Sequence, residues 1–192
     1  MDRVPHYLRM IRDYDYATYL HCNRVAEFAY QIGQKVSLNS IELNQLVSAA
    51  RLHDLGKINI EKSILHKPGN LSTDEWKEIR KHSEYGVRIL SSDCQFESKI
   101  IASIHSHHEY YNGKGYPKGI KNESINIYAR IISIADAFDA MTTNRTYRSQ
   151  NLTPNQAIQE ILRCSGTQFD PNLTKILTSI DINTLSYSDQ LL

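Results

Sequence analysis

Cysteine is scarce and scattered in this chain. Cys22, Cys94 and Cys164 stand far apart, form no CxxC pair and are odd in number. That pattern points to reduced thiols in a cytoplasmic protein rather than to a disulfide framework. Long apolar runs are missing too, because charge interrupts each stretch within a few residues, so no membrane span is expected. The opening MDRVPHYLRMIRDYDY lacks the apolar core of a secretory signal. Neither sign of charge dominates: 22 Lys and Arg stand against 21 Asp and Glu, for a formal net charge of +1. With no block of like charges, general binding to nucleic acid or a membrane surface is not indicated. Internal repeats, low-complexity tracts and linkers are absent, and clean period-2 alternation is hard to find. What remains is 192 residues with 41% hydrophobic content, enough for one well-packed domain and too little for two large ones.

Helical periodicity is what the sequence does have. Helices are expected at about Tyr14–Lys35, Ser40–Leu55, Asp74–Leu90, Glu97–Glu109, Ile125–Thr143, Pro154–Cys164 and Pro171–Ser179. Ser72-Thr73-Asp74-Glu75 fits a capping box, and Thr153-Pro154-Asn155-Gln156 adds proline at the first helical position. Gly56, the Lys67–Asn70 stretch and the loop Asn112–Pro117 are breaks. The expected fold is an all-α domain with short connections.

Polar residues then fall on the faces that should be buried. In the first helix Thr18, His21, Val25, Phe28 and Ile32 form one stripe that contains His21. Leu43, Leu46, Val47 and Ala50 run into His53, Asp54 and Lys57. Trp76 and Ile79 lead through His82 to Gly86, Ile89 and Leu90. Ile100 and Ile104 continue into His107 and His108, and Ile132 leads to Asp136 and Ala140. A single histidine on an apolar face is usually a core residue hydrogen-bonded to backbone. Five helices with the same feature need a common cause.

Energetics names that cause. Each buried polar group without a partner costs about 1–3 kcal/mol, and an unpaired charge several. A domain's whole stability is only about 5–15 kcal/mol. These groups therefore need a shared partner, and metal ions are the natural one. Imidazoles and carboxylates without thiolate suit iron, manganese, zinc or cobalt rather than calcium. The set exceeds one tetrahedral site and suits two adjacent ions sharing a carboxylate, an arrangement widely used to hydrolyse phosphoesters. His53-Asp54 can supply a terminal ligand and a bridge from one helix end.

The motifs resemble those of the HD-GYP domains, a branch of the HD metal-dependent phosphohydrolases. The matching segments are HCNRVAEFA, AARLHDLGKINI, ILHKPGNLS, HSEYGVRIL, HHEYYNGKGYP, ARIISIADAFDAMTTNRTYR and FDPNL, covering about residues 15–175 of one domain spanning 1–192. The resemblance implies a single HD-type helical domain with a dinuclear metal site between helices. It implies hydrolysis of cyclic di-GMP to linear pGpG, and sometimes on to GMP, by water activated between the two ions. His21, His53, Asp54 and Asp136 would hold one ion. His82, His107, His108 and a bridging Asp54 would hold the other. Iron or manganese is the expected metal, with zinc, cobalt and nickel also compatible. Lys57 would orient the phosphate and protonate the leaving oxygen. Arg145 and Arg148 would grip phosphate, Tyr116 would contact substrate, and the Gly115-Tyr116-Pro117 loop would meet a GGDEF-domain partner.

The chain departs from the family pattern at Tyr110, Asn112, Ala17 and Asn144. Ala17 stands where members with a third metal carry Glu, so two metals are expected. Asp139, one turn past Asp136, is expected to orient a ligand or support packing, and His105 to lie outside the ligand set. Two other functions compete: hydrolysis of another cyclic dinucleotide, such as cyclic GMP-AMP, or of a nucleotide phosphate; and a non-catalytic sensor that binds ligand or a partner protein.

Overall fold

The computed structural model describes residues 3–93, 96–143 and 151–180. Its helices are α1 (Val4–Tyr14), α2 (Tyr16–Lys35), α3 (Ser40–Leu52), α4 (Lys62–Leu65), α5 (Thr73–Arg80), α6 (His82–Ser91), α7 (Ser98–Ser106), α8 (Ile127–Thr142), α9 (Pro154–Arg163) and α10 (Pro171–Leu177). Short 3₁₀ turns occupy Leu55–Asn59 and Asn122–Ser124. Among the described residues there is no strand, only an isolated bridge between Ser165 and Phe169. The fold is all-α.

Side chains fix the helix starts. Both expected caps form: Ser72 and Glu75 exchange hydrogen bonds at α5, as do Thr153 and Gln156 at α9. Asn39 and Glu42 make a third such box at α3, and Asp15 accepts from the Thr18 amide at α2. Each pairing satisfies amides that a helix N-terminus leaves without partners.

Three boundaries differ from expectation, and each of them shapes the site. The α3 helix stops at Leu52, so His53 is its C-cap rather than an interior residue. Likewise α7 stops at Ser106, with His107 as C-cap. The expected helix Asp74–Leu90 divides at Lys81, whose amide bonds back to the Glu78 and Ile79 carbonyls, and α6 begins at His82. The α1 helix was not among the expected elements. It carries Pro5 in its first turn and buries Val4, Tyr7 and Ile11.

Apolar packing gathers these ends. The α8 helix buries residues on most of its circumference, including Tyr128, Ile131, Ile132, Ile134 and Phe138. It packs against α2, where the Phe28 and Phe138 rings lie 4.5 Å apart. The α2 helix also packs on α3, and α6 lies on α7 and on the Leu55–Asn59 turn. Leu46, Leu52, Ile104 and Ile132 are fully buried. At about 1.5–3 kcal/mol for each such side chain, this core offsets the cost of holding polar residues inside.

One glycine sets how closely the turn approaches α6. A Cβ on Gly56 would lie 1.9 Å from the His82 carbonyl oxygen and 2.5 Å from the Gly86 amide. Both neighbours are backbone and cannot swing aside. Gly56→Ala is therefore expected to destabilise the protein by about 3 kcal/mol or more, since overpacking forces the backbone apart. Thermal melting should show a drop of roughly 10 °C for a chain of this size. An unchanged melting temperature would contradict the close approach.

Candidate metal centre

Helix ends leave carbonyls with accepting capacity to spare, and three histidines exploit them. His53, His82 and His107 each place Nδ1 2.7 Å from the carbonyl three residues earlier, on Ala50, Ile79 and Ile104. A carbonyl only accepts, so each Nδ1 carries the proton and each Nε2 keeps its lone pair. Burial lowers the pKa of all three rings, and it lowers His108 to about 3. Neutral imidazoles with Nε2 lone pairs result, which is the form that binds metal.

His21 is oriented differently. Its Nδ1 lies 2.7 Å from Asp139 Oδ2, and Arg24 donates to both Asp139 oxygens at 2.6 and 3.0 Å. His21 Nε2 lies 3.1 Å from Asp136 Oδ1 and 3.5 Å from Asp54 Oδ2. Burial depresses the His21 pKa, but hydrogen bonds to Asp136 and Asp139, together with the Asp136 and Asp54 charges, outweigh it and raise the value to about 9. A carboxylate behind a ligating histidine fixes ring orientation, and losing it typically costs about 10–100-fold in metal affinity. Asp139→Ala is expected to weaken metal binding by about that factor, read by titrating metal per folded chain. Unchanged affinity would reduce Asp139 to packing.

Asp54 lies between two groups. Its Oδ1 faces His82 Nε2 at 3.5 Å, while its Oδ2 faces His21 Nε2 at 3.5 Å and His53 Nε2 at 3.4 Å. Donor atoms of His21, His53 and Asp54 lie within 4.8 Å of one another, as do those of His82, His107 and His108. Burial raises the Asp54 pKa, but Lys57 and the surrounding histidines outweigh it and hold the carboxyl well below its usual range. Lys57 Nζ sits 2.6 Å from Asp54 Oδ2.

Two details show that these residues fit a divalent ion. His53 Nε2 is buried without a hydrogen-bond partner. The Nε2 atoms of His82 and His107 lie 3.1 Å apart. With both Nδ1 atoms protonated, two lone pairs converge there. A cation reconciles them, whereas burial makes protonation of either ring unfavourable.

The loop after His108 packs onto the cluster. Tyr116 stacks on the His108 ring with centroids 4.8 Å apart, and the Arg80 guanidinium lies 5.1 Å from the Tyr116 centroid. Burial, with the Asp54 and Asp136 charges, pushes the Tyr116 hydroxyl well above its usual pKa. A Cβ on Gly115 would lie 2.2 Å from the Tyr110 amide and 2.4 Å from the His108 carbonyl, so only glycine admits this path. Glu109, buried, accepts from the Lys118 and Gly119 amides at 2.6 and 3.1 Å and holds the loop's exit. Asn112, one of the departures from the family pattern, accepts from the Lys114 amide at 3.0 Å, and its own amide donates to Thr167.

The structure thus brings together His21, His53, Asp54, His82, His107, His108, Asp136, Lys57 and Tyr116. His105 stays outside this set, partly exposed. Arg145 and Arg148 lie outside the described residues. Arg24, Glu109 and Arg80 are additions. Arg24 was within reach of the spacing argument, since it shares a face with His21 three residues earlier. Cys22 is buried and Cys164 partly so, both free, and Cys94 lies outside the described residues. No helix among the described residues is long and apolar enough to cross a membrane.

The fold and site define a helical protein that gathers imidazoles and carboxylates from five helices around a place for divalent metal. A sequence profile described as HD domain matches residues 5–173. A 3′3′-cGAMP-specific phosphodiesterase of Vibrio cholerae is 37% identical over 158 residues, covering 82% of this chain and 30% of that protein. A cyclic di-GMP phosphodiesterase of Thermotoga maritima is 34% identical over 176 residues, covering 91% and 48%. Among solved structures, a cyclic GMP-AMP specific phosphodiesterase of V. cholerae superposes with a TM-score of 0.68 at 23% identity, over 88% of this chain and 46% of that one. The chain belongs to the HD domain family, in its HD-GYP branch. It spans from under a third to about half the length of these curated relatives.

Proposed function

We propose that the chain is a metal-dependent phosphodiesterase that opens cyclic di-GMP to linear pGpG, with further cleavage to GMP as a second step. The observation that carries the reading is Asp54, whose two oxygens face two separate groups of imidazoles. That disposition supports a pair of ions, one held by His21, His53, Asp54 and Asp136, the other by His82, His107, His108 and Asp54. Iron or manganese fits this ligand set. When bound, such ions supply Lewis acidity toward phosphoryl oxygens and make water acidic enough to attack near neutral pH.

The chain's own residues do the rest. Helix-end carbonyls hold His53, His82 and His107 in the tautomer that offers Nε2. Lys57 Nζ, beside Asp54, is placed to hold a phosphate oxygen and to give its proton to the departing 3′ oxygen. Tyr116, stacked on His108, shields that ring from water. Arg145 and Arg148 are assigned to phosphate by the family motif alone. The GGDEF-domain partner at Gly115-Tyr116-Pro117 belongs to the same proposal.

A second substrate reading has its own support: the relative that is 37% identical is named for 3′3′-cGAMP. The test is hydrolysis of cyclic di-GMP, 3′3′-cGAMP and cyclic di-AMP by anaerobically purified protein, reconstituted separately with ferrous iron and manganese, with metal counted on the same samples. Fastest turnover of cyclic di-GMP supports the assignment, and faster turnover of 3′3′-cGAMP replaces it. Bound metal without turnover of any substrate would favour the sensor.

A further inference from the structure

We propose that Arg80 and Trp76 form a base-reading platform at the mouth of the centre, where the Arg80 fork recognises guanine and Trp76 stacks on the base. This deepens the phosphodiesterase reading and rests on it. Arg80 is the last residue of α5, two positions before His82, and its side chain is exposed. Its guanidinium lies over the Tyr116 ring, which in turn stacks on His108. It forms no ion pair or side-chain hydrogen bond among the described residues, so its donors are available to a ligand. The other cations of this helix region are engaged: Lys67 pairs with Glu75, Lys77 with Asp74 and Lys81 with Glu78.

Trp76 precedes Arg80 by four residues, so the two share one face of α5. It is 51% exposed, although large aromatic residues are generally buried in the absence of a partner. An exposed indole suits base stacking, which tolerates any nucleobase because each has a π-face. Discrimination must come from the edge. Guanine offers O6 and N7 as paired acceptors, which the Arg fork satisfies together, whereas adenine offers an N6 donor beside N7. A base attached to a phosphate at the His/Asp cluster leads outward past Tyr116, towards this face.

The chain contains a single tryptophan, so fluorescence excited at wavelengths that tyrosine does not absorb reports Trp76 alone. The experiment titrates metal-loaded protein with cyclic di-GMP and cyclic di-AMP while reading that fluorescence, and measures relative turnover of the two, in wild type, Arg80→Lys and Trp76→Phe. Cyclic di-GMP should quench the wild type more strongly than cyclic di-AMP. Arg80→Lys keeps the charge but loses the fork, and should reduce the preference for cyclic di-GMP by about tenfold. Trp76→Phe should weaken both substrates alike and leave the preference in place. Equal loss for both substrates in Arg80→Lys would make Arg80 a phosphate contact and overturn the guanine assignment. Turnover without quenching would remove Trp76 from the platform. A wild type that neither binds nor hydrolyses any cyclic dinucleotide would defeat the phosphodiesterase reading, and this inference with it.

Discussion

Asp54→Ala is expected to remove metal from both halves of the centre and to lower turnover by about a thousandfold or more, because charge stabilisation and water activation both depend on the ions. The reason is geometric. Asp54 Oδ1 faces His82, while Oδ2 faces His21 and His53. A side chain serving one group only would leave the other loaded. Metal analysis of the purified variant, with a thermal melt to establish folding, separates these cases. A folded variant that kept both ions would remove the bridging role. Asp54→Asn sharpens the test, since it preserves shape while removing the charge that the imidazoles and Lys57 hold in place.

Lys57→Ala is expected to do the opposite to metal. Ion content should stay near the wild-type value while turnover falls by about 10²–10⁴-fold, the usual contribution of a positioned general acid. Lys57 contacts Asp54 Oδ2 at 2.6 Å, close enough to act on a phosphate held there, yet it has no lone pair to offer as a ligand while protonated. A substrate with a better leaving group should recover part of the loss, because it needs less proton donation. Equal loss on both substrates would restrict Lys57 to phosphate binding, and unchanged turnover would take it out of the mechanism altogether.

The sequence made the site's membership legible because burial and polarity conflict on helical faces. His21, His82 and Asp136 are found by spacing alone, since each continues an apolar stripe. Spacing says nothing about where a helix ends. The break at Lys81 carries neither Gly nor Pro, and His53 and His107 continue their stripes as though the helices ran on. Their role as caps depends on hydrogen bonds that turn the chain. The Arg24–Asp139–His21 link joins residues 118 positions apart and needs the α2–α8 packing to exist. The helical repeat behind Pro5 was there to be read. The readings of a core histidine and of a ligand are also compatible: Nδ1 of His53 satisfies the backbone, and Nε2 is left without a hydrogen-bond partner, as a metal ligand requires.

The carbonyls that hold three of the rings lie three residues back along the chain, at the end of the helix just completed: Ala50 for His53, Ile79 for His82, Ile104 for His107. Each donor is therefore specified within a four-residue word, ARLH, IRKH or IHSH, and not by the partners across the core. Tertiary assembly has only to bring such words together, since none needs a neighbour to choose its proton. In this sense the centre is modular: for three of its rings the grammar is local, while Asp54 and the His21 relay belong to the sentence as a whole.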